Sequence, residues 1–587
     1  MNNREKIILV CILFLAFILR FYKLGQNPPS LTWDETAIGY NAYSILKTGR
    51  DEHGRFLPIN YFTSFGDYKP PISVYLTIPS VAIFGLNEFS TRFPSAFLGT
   101  LTVLITYFLV KKMFNKDSGV TKFISLSNKG QSLKTKRTVL KKESNRLKSV
   151  ISNLLNLEPR TSSLEPAIAS LLLAISPWHI LSSRAGFEAN IATFFIVLGA
   201  YFFIKAIKNK GWLLLLSAFC FLLSIYTFNT PRLFVPIFLF GLSIIYRKKL
   251  FQIKKWVLLS TFFGLILIAP LIPHFLSPEG SLRFKEVNIF TDLEVIKTAN
   301  QRISAEENSF LARILHNRRI GYTLLFTKHY FDHFNPGYLF FHGDVNPKFS
   351  TQDTGQLYLI ELPFLILGLF FLFKQKQKGK WVILLWLLSG LIPAGTARET
   401  PHALRTLVTL PTWQILIAFG VLGIFNELKT KRYKKIFVFM FSCFHVLMFL
   451  CFLHNYFLHY PKEFSREWQY GYKQTVLYTK EIVEDYDEIL VSNVYGRPYV
   501  YFLYYFQYSP LKYQQKAIRE KNIYGQYTVK GFDKFKFGNL GGLISENKAG
   551  KVLLVGRSEE ILKEAMVLKE IKFLNGETAF IISEIIL

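Results

Sequence analysis

The sequence predicts an α-helical protein that crosses a membrane many times and ends in a small α/β domain. Half of its 587 residues are apolar and 58 are Phe, a composition typical of a chain solvated mainly by lipid. The apolar residues form runs long enough to cross a bilayer. Lys and Arg give a net charge of +30 and lie in short clusters between these runs. That pattern indicates membrane topology, not nucleic-acid binding.

Eleven apolar runs of roughly 17 to 22 residues predict transmembrane helices. They lie at 7–24, 93–112, 164–182, 187–207, 212–229, 231–246, 256–275, 356–373, 381–396, 404–425 and 436–457. A cytoplasmic N-terminus places every basic connection on the inner face, as the positive-inside rule requires. The first run has no small-residue cleavage site and predicts a retained span. The expected location is the cell membrane, with an extracytoplasmic C-terminal part.

Two domains are predicted. Residues 1–459 would form the membrane domain, with outer loops at 25–92 and 276–355. Residues 460–587 would form an extracytoplasmic α/β domain, because strand-like runs at 488–493, 551–555 and 579–582 alternate with helical patterns. The basic insert at 115–163 is predicted to be cytoplasmic. It is either an amphipathic helix on the inner leaflet or a solvated linker.

The first outer loop contains Thr32-Trp33-Asp34-Glu35 at the start of a predicted amphipathic helix on the membrane surface. Thr32 and Glu35 have the spacing of a capping box, which gives Glu35 a structural explanation beside a catalytic one. The cap does not require Asp34. Asp34 is therefore the stronger candidate for a catalytic carboxylate, although any acid in a first turn is favoured by the helix dipole.

Asp67 and Lys69 lie further along the same loop, directly before Pro70 and Pro71. Lys69 could bind a lipid headgroup or the phosphate of a substrate. Asp67 could act in catalysis or only neutralise Lys69. Both interpretations stay open at this point.

Further cations lie on the predicted outer face, where the positive-inside trend gives them no topological role: Arg184, Arg232, Arg398, His402 and Arg405. Converging cations suit a phosphate monoester or diester. Arg184 could instead pair with Glu188, since charges this near the hydrocarbon pair or line a wet cavity. Other candidates for sugar or acceptor binding are Trp33, Tyr40, Tyr226, Glu188, Asn190 and Asp344. For the aromatic residues, packing in the core or at the interface is the common alternative.

Together these segments resemble the C-type superfamily of membrane glycosyltransferases, and within it the protein O-mannosyltransferases, the lipid A aminoarabinose transferases and related bacterial enzymes of glycosyltransferase family 39. The resemblance covers about residues 1–425. It rests on Trp33-Asp34-Glu35, Asp67-Tyr68-Lys69-Pro70-Pro71, Ser183-Arg184 with Glu188 and Asn190, the stretch 335–344, Glu361-Leu362-Pro363 and Pro401-His402-Ala403-Leu404-Arg405.

The resemblance implies an inverting transfer of a sugar from a polyprenyl-phosphate donor to a protein, lipid or glycan acceptor. Asp34 matches the general base of the family, and Lys69 matches the lysine that contacts the donor phosphate. Some relatives hold a divalent metal with a His and a Glu directly before that lysine, where this chain has Tyr68. The use of a metal therefore stays open. No nucleotide cofactor, redox cofactor or nucleic-acid partner is expected.

Two other functional classes are compatible with many spans. A transporter or lipid flippase would be expected to show inverted repeats and helices broken at mid-membrane. A membrane anchor for the C-terminal domain would need only a few spans, and it leaves the acidic outer loop unexplained. The candidate charged residues described above lie on the outer face and not at mid-membrane, which favours a glycosyltransferase. The sugar, the acceptor and the oligomeric state are not determined by the sequence.

Overall fold

The computed structural model describes residues 1, 3–114, 164–277, 280, 286–521, 527–546 and 550–586. The helix or linker predicted within 115–163 lies outside these residues. Every one of the eleven apolar runs overlaps a helix. The first helices are α1 (Asn3–Phe21), α2 (Trp33–Thr48), α3 (Ile72–Phe84), α4 (Glu88–Phe114), α5 (Glu165–Ile175), α6 (Pro177–Arg184), α7 (Glu188–Lys208), α8 (Leu213–Ile225), α9 (Thr230–Gln252), α10 (Lys254–Ile268) and α11 (Ile272–Leu276). The next are α12 (Leu293–Ala305), α13 (Phe310–Leu315), α14 (Arg318–Asp332), α15 (Leu362–Phe373), α16 (Gly379–Gly395), α17 (Ala403–Thr406), α18 (Thr412–Glu427), α19 (Lys431–His454) and α20 (Tyr460–Glu463).

The helices differ in whether one alone could cross a bilayer. Among the described residues, four helical stretches are long and apolar enough, and they are Glu88–Phe114, Glu188–Lys208, Lys254–Leu276 and Lys431–Glu463. Two bent pairs raise the number to six if each pair forms one span. Four further apolar helices have only 10 to 17 residues, and they are Ile72–Phe84, Leu213–Ile225, Leu359–Phe373 and Gly379–Gly395. The helical membrane character is thus confirmed, while the count of eleven spans stays a prediction.

One of the bent pairs consists of α5 and α6, which meet at 57° around Ser176 and Pro177. Ser176 ends the first helix and caps the second, since its hydroxyl accepts from the N–H of His179 at 3.5 Å. Pro177 occupies the first position of α6, where a missing N–H costs no helical hydrogen bond. The bend carries Arg184 into the protein at the end of α6.

The first outer loop folds into a helix and a hairpin. Helix α2 begins with the predicted capping box, which is confirmed, and ends at Gly49 in the left-handed conformation. Strands β1 (Phe62–Ser64) and β2 (Asp67–Lys69) pair antiparallel. Phe65 and Gly66 connect them with φ of 43° and 80°. Two positive φ angles give the turn a twist that matches the paired strands, so Asp67 and Lys69 leave the turn in a fixed register.

The C-terminal part forms a mixed seven-stranded sheet with helices around it. The strands are β3 (Glu488–Ser492), β4 (Ile518–Lys521), β5 (Tyr527–Phe532), β6 (Phe535–Gly538), β7 (Lys551–Gly556), β8 (Met566–Lys572) and β9 (Thr578–Ile586), in the order β4-β5-β6-β3-β7-β9-β8. The helices are α21 (Tyr472–Ile482), α22 (Pro498–Phe506), α23 (Pro510–Lys516) and α24 (Leu540–Glu546). Strand β3 is parallel to β6 and β7, and the other pairs are antiparallel. The three strands predicted from the sequence are confirmed as β3, β7 and β9.

A single hydrophobic cluster joins the first outer loop to the C-terminal part. It contains Ile38 and Phe62 from the loop together with Tyr501 and Phe532 from the C-terminal part, all at most 3% exposed. A separate and larger cluster fills the helical bundle. Helix α2 is therefore enclosed by α3, α4 and α22, with ten of its sixteen residues buried. The chain buries this loop under a domain that begins more than 400 residues later.

Candidate active site

Asp34 and Lys69 form an ion pair at the start of α2. The Lys69 ammonium donates to Asp34 Oδ1 at 2.5 Å and to Asp67 Oδ2 at 3.3 Å. The Asp34 side chain keeps 37% of its surface exposed, whereas the Lys69 side chain keeps 9%. Among the described residues, no group donates to Asp34 Oδ2. One carboxylate oxygen is thus held by a cation while the other is accessible to a substrate.

Glu188 adds a third carboxylate to this group from the start of α7. It is 9% exposed and interacts electrostatically with Lys69, Asp34 and Asp67. Burial of Lys69 alone would lower its pKa, but these three carboxylates outweigh burial and raise the pKa. Lys69 therefore stays protonated throughout the physiological range. The motifs around residues 34, 67 and 188 come together in one site.

The C-terminal part holds the hairpin that carries Lys69. The backbone N–H of Phe65 donates to the Tyr499 hydroxyl at 2.7 Å. The Arg497 guanidinium donates to the carbonyl of Phe65 at 2.9 Å and lies 5.0 Å above the Phe65 ring. Both the N–H and the carbonyl of Phe65 are therefore bound by the C-terminal part, through Tyr499 of α22 and Arg497 just before it.

Glu35 points away from Asp34 into the protein, where it is fully buried. Its Oε2 accepts from the N–H of Thr32 at 2.9 Å, and its Oε1 accepts from Arg92 Nε at 2.8 Å and from the N–H of Gly186 at 2.9 Å. Arg92 also donates to the carbonyls of Leu24, Pro28 and Ser30. Oε2 therefore closes the capping box, and Oε1 joins the loop to α4 and to the turn after α6. The sequence did not predict a role for Arg92, because its partner Glu35 lies 57 residues away.

Arg184 is equally enclosed. Its guanidinium donates to the Tyr456 hydroxyl and to the carbonyls of Leu19, Tyr22 and Asn27 at 2.7 to 3.2 Å, with no exposed surface. Among the described side chains, no carboxylate lies within ion-pair distance of Arg184, so the pairing with Glu188 considered above is not formed. Its nearest partners are backbone carbonyls.

Arg232 is the cation whose guanidinium stays available. Its Nε has no hydrogen-bond partner in the described part of the chain, and the group lies 5.1 Å from the Phe275 ring. The neighbouring His274 packs on Tyr61 and Tyr68, with ring centroids 4.5 and 6.0 Å apart. The N–H of Ile72 donates to the carbonyl of Tyr226, close before Arg232 in sequence. These contacts place the turn before α9 beside the segment that follows Lys69.

The metal site of some relatives does not fit the residues found here. Tyr68 stands next to Lys69 and packs against His274, and a neutral phenol is a poor replacement for a carboxylate ligand. Asp67 already binds Lys69. Within the described ranges, no group of three His, Cys, Asp or Glu side chains could hold a metal ion. We therefore assign no step of the chemistry to a metal.

Asp344, His402 and Arg405 form a second group in the outer loops. Asp344 Oδ2 accepts from the N–H of Ala403 at 2.6 Å and lies 3.8 Å from His402 Nδ1. Burial raises the pKa of Asp344 to about 6, although hydrogen bonds from Ala403 and Asn346 oppose that shift. Arg405 donates to the Glu399 carbonyl at 3.2 Å and interacts electrostatically with Asp344. This group organises the start of α17.

The remaining predicted residues have structural contacts. Arg398 donates to the Asn288 carbonyl and to Thr291 Oγ1, both at 3.2 Å. The Tyr40 hydroxyl donates to the Tyr508 carbonyl, and the Tyr226 hydroxyl donates to the Leu267 carbonyl. Asn190 is buried and donates to the carbonyl and hydroxyl of Ser95. None of these contacts joins the residue to the Asp34 and Lys69 pair.

Lys348 lies at the site, although the sequence did not predict it as a site residue. Its ammonium is 4.6 Å from the centroid of the Trp33 ring, and it interacts electrostatically with Asp34. A single lysine in a loop of about 80 residues gives no local signal. Its position follows from the tertiary fold.

The comparisons with known proteins agree with the predicted resemblance. The family model described as dolichyl-phosphate-mannose-protein mannosyltransferase matches residues 10–124, the range that holds Asp34, Asp67 and Lys69. An uncharacterized protein of Aquifex aeolicus (strain VF5) is 32% identical over 117 residues, which is 20% of this chain. The match spans only 22% of that relative.

Two solved structures extend the comparison to the whole chain. ArnT from Cupriavidus metallidurans in the apo state has a TM-score of 0.54 at 10% identity, covering 98% of this chain and 97% of that chain. The structure of the same protein bound to undecaprenyl phosphate has a TM-score of 0.49 at 10% identity, covering 99% and 98%. The predicted C-type fold is confirmed by the first of these similarities, and a membrane location agrees with it.

Proposed function

We propose that this protein is an inverting glycosyltransferase that uses a polyprenyl-phosphate sugar on the extracytoplasmic face of the membrane. The observation that carries the proposal is the Asp34 carboxylate, with Oδ1 bound by Lys69 and Oδ2 open at the start of α2. The family whose model matches this range is named for transfer of mannose from dolichyl phosphate to protein. This supports a lipid-phosphate donor here and leaves the sugar and the acceptor undetermined.

The proposed reaction is a single displacement at the anomeric carbon. The acceptor hydroxyl donates its proton to Asp34 Oδ2 while its oxygen forms the new bond to that carbon. The bond from the anomeric carbon to the phosphate oxygen breaks, and its electron pair leaves with the polyprenyl phosphate. General-base catalysis by a positioned carboxylate accelerates such a step about a hundredfold to ten-thousandfold. Asp67 accepts a hydrogen bond from Lys69, and Glu188 acts on Lys69 electrostatically.

The departing phosphate needs cations, and we assign this task to Lys69 and Arg232. Lys69 is protonated and binds Asp34 Oδ1, so it lies beside the carboxylate that is proposed to take the proton. Arg232 has a guanidinium without a polar partner among the described residues, in the first turn of α9. The turn before α9 contacts the segment after Lys69. Preorganised cations stabilise charge as it develops on a leaving group. Arg184 and Glu35 are assigned to structure, since their polar atoms are already bound inside the protein.

The shared core supports the proposed topology. The first outer loop and the sheet domain bury side chains in the same hydrophobic cluster, so both have to lie on one side of the membrane. We place that side outside the cell, with a cytoplasmic N-terminus, because the basic connections then lie inside. Reporter fusions after Lys435 and near the C-terminal end are expected to report opposite sides. Two fusions on the same side would contradict this arrangement.

The decisive experiment uses the full chain purified into lipid nanodiscs. It is supplied with a panel of undecaprenyl-phosphate sugars and with acceptor extracts, and mass spectrometry measures free undecaprenyl phosphate and new glycoconjugates. Sugar-dependent release by the wild type, absent from Asp34→Asn, supports the proposal. Movement of an intact lipid-linked sugar across the bilayer with no release would instead support a flippase.

A further inference from the structure

Lys348 lies in a loop that is fixed at several points. Asp344 Oδ1 accepts from the N–H of Asn346 at 2.8 Å, and Asn346 Oδ1 accepts from the N–H of Lys348 at 3.0 Å. The carbonyl of Pro347 accepts from the Tyr460 hydroxyl at 2.6 Å. The next residue, Phe349, stacks on His402 at 5.0 Å. The backbone around Lys348 is therefore held on both sides, and the start of its side chain has a defined position.

The Lys348 ammonium lies over the Trp33 ring at 4.6 Å and forms no ion pair with a carboxylate of the described residues. Asp34, Glu35 and Glu467 influence it electrostatically from beyond ion-pair distance. Burial lowers the pKa of Lys348 despite these three acids. The half-buried ammonium has no hydrogen-bond acceptor among the described residues. Its N–H donors are available to a ligand.

Three other cations around the site already have polar partners, unlike Lys348. Lys69 already binds two carboxylates, and Arg92 and Arg184 donate to backbone carbonyls. Trp33 is held in place because Gly496 lies against the ring, where a Cβ would come within 3.3 Å. The cation and the ring therefore form one edge of the site, and Trp33 is next to Asp34 in sequence.

We propose that Lys348 and Trp33 form an oxyanion subsite that takes a phosphate or carboxylate group of a substrate bound at Asp34. The proposal rests on the proposed function and adds a specificity element to it. The oxyanion has two sources, the phosphate of the lipid donor or an acidic group of the acceptor. The Lys348 ammonium donates hydrogen bonds to the oxyanion, and the Trp33 ring covers the adjoining apolar or sugar surface.

A labelling experiment tests the subsite without requiring turnover. The full chain in nanodiscs reacts briefly with an amine acylating reagent near pH 8, and peptide mass spectrometry measures modification at Lys348, Lys69 and Lys462. Lys348 is expected to react several times faster than Lys69, whose ammonium is bound by carboxylates. Excess inorganic phosphate is expected to slow modification of Lys348 at least threefold and to leave exposed Lys462 unchanged. No slowing by inorganic phosphate or by undecaprenyl phosphate overturns the proposal.

The two probes identify the source of the oxyanion. Protection by undecaprenyl phosphate at concentrations far below those needed for inorganic phosphate assigns the subsite to the donor. Equal protection by both assigns it to an acidic group of the acceptor. Failure of Asp34→Asn to change transfer would refute the proposed base and leave this labelling result intact.

Kinetic variants give an independent readout. Lys348→Gln is expected to raise the KM for one substrate about tenfold or more, since a charge-assisted hydrogen bond is lost. Lys348→Arg is expected to restore most of the affinity. Lys462→Gln removes the same charge from an exposed position nearby and is expected to change neither KM. If Lys348→Gln and Lys462→Gln are indistinguishable in both KM values, Lys348 has no part in binding.

Discussion

The backbone N–H of Phe65 donates to the Tyr499 hydroxyl at 2.7 Å, across 434 residues of sequence. This bond joins the turn before Lys69 to the first turn of α22. The Tyr499 hydroxyl also lies 3.2 Å from Glu52 Oε1, so it is fixed between two segments of the first outer loop. The position of the candidate phosphate-binding lysine thus depends on the C-terminal part.

Tyr499→Phe is expected to weaken use of the donor. The change leaves the buried N–H of Phe65 without an acceptor, which costs about 1 to 3 kcal/mol. The resulting movement of the turn should raise the KM for the donor more than it lowers kcat. Saturation curves on purified protein measure this split. Tyr508→Phe, which removes a surface hydroxyl bonded to Asp533, is the matched control. If the two variants had the same KM for the donor and the same kcat, the hydrogen bond from Phe65 to Tyr499 would have no role in positioning Lys69.

Asp34→Asn is expected to lower kcat by a factor of about 10² to 10⁴ while the protein stays folded. Asn keeps the size of the side chain but cannot accept the proton of the acceptor. Asp67→Asn serves as the comparison, since it removes a carboxylate from the same ammonium at a longer distance. Transfer rates and thermal unfolding are measured for both. Wild-type turnover from Asp34→Asn would redirect the search for the base to Asp67 or Glu188.

Glu35→Gln is expected to lower the stability of the fold but to change kcat little. The substitution removes the charge that balances Arg92 in a fully buried pair, and breaking such a pair costs on the order of 3 kcal/mol. Thermal unfolding in detergent should shift downward, while the folded fraction keeps a kcat near that of the wild type. A variant of normal stability with no activity would return Glu35 to the list of catalytic candidates.

Lys69→Ala and Arg232→Ala are expected to raise the KM for the donor about tenfold to a hundredfold, because each removes a charge-assisted contact with phosphate. Arg405→Ala should have a smaller effect on the donor, since its guanidinium interacts with Glu399 and Asp344. Donor saturation by the three variants is compared at equal folded fraction. If Arg405→Ala raised the KM for the donor most, the phosphate would lie at the group formed by Asp344, His402 and Arg405.

Asp344 should make stability depend on pH. Its pKa is raised from 3.8 to about 6 by burial, so the folded chain binds an additional proton between about pH 4 and 6. Binding of that proton stabilises the folded state at low pH. This contribution to the free energy of unfolding is lost as pH rises through 6. From pH 7 to pH 5, the wild type should gain on the order of 1 kcal/mol relative to Asp344→Asn. A relative loss over this interval would mean that His402 stabilises the carboxylate.

The parts of the site that follow from short-range rules were predictable. Thr32 and Glu35 are three residues apart and form the capping box, and this spacing alone distinguished Glu35 from Asp34 as a catalytic candidate. The runs that became β3, β7 and β9 are rich in Val, Ile and Leu, and they were predicted as strands. Strand β4 reads Ile-Arg-Glu-Lys and is mostly exposed, so no hydrophobic pattern marked it.

The parts that depend on distant contacts were not predictable. Arg184 and Arg232 both lie at the ends of apolar runs. The Arg184 guanidinium donates to backbone carbonyls, whereas Arg232 Nε has no hydrogen-bond partner among the described residues. Lys348 reaches Trp33 across more than 300 residues. Sequence spacing contains no information on which side chains a tertiary fold brings together. The number of spans stayed open because several apolar helices are bent or short.

The core shared by the first outer loop and the sheet domain sets an order of events during synthesis. Ribosomes add about 5 to 20 residues per second, so the 434 residues between Phe65 and Tyr499 separate the two halves by roughly 20 to 90 s. During that interval, α2 and the hairpin lack the tyrosine-rich helix that covers them. A nascent chain that stops early carries the Asp34 motif without its support. The candidate site is therefore completed only when the C-terminal sheet folds.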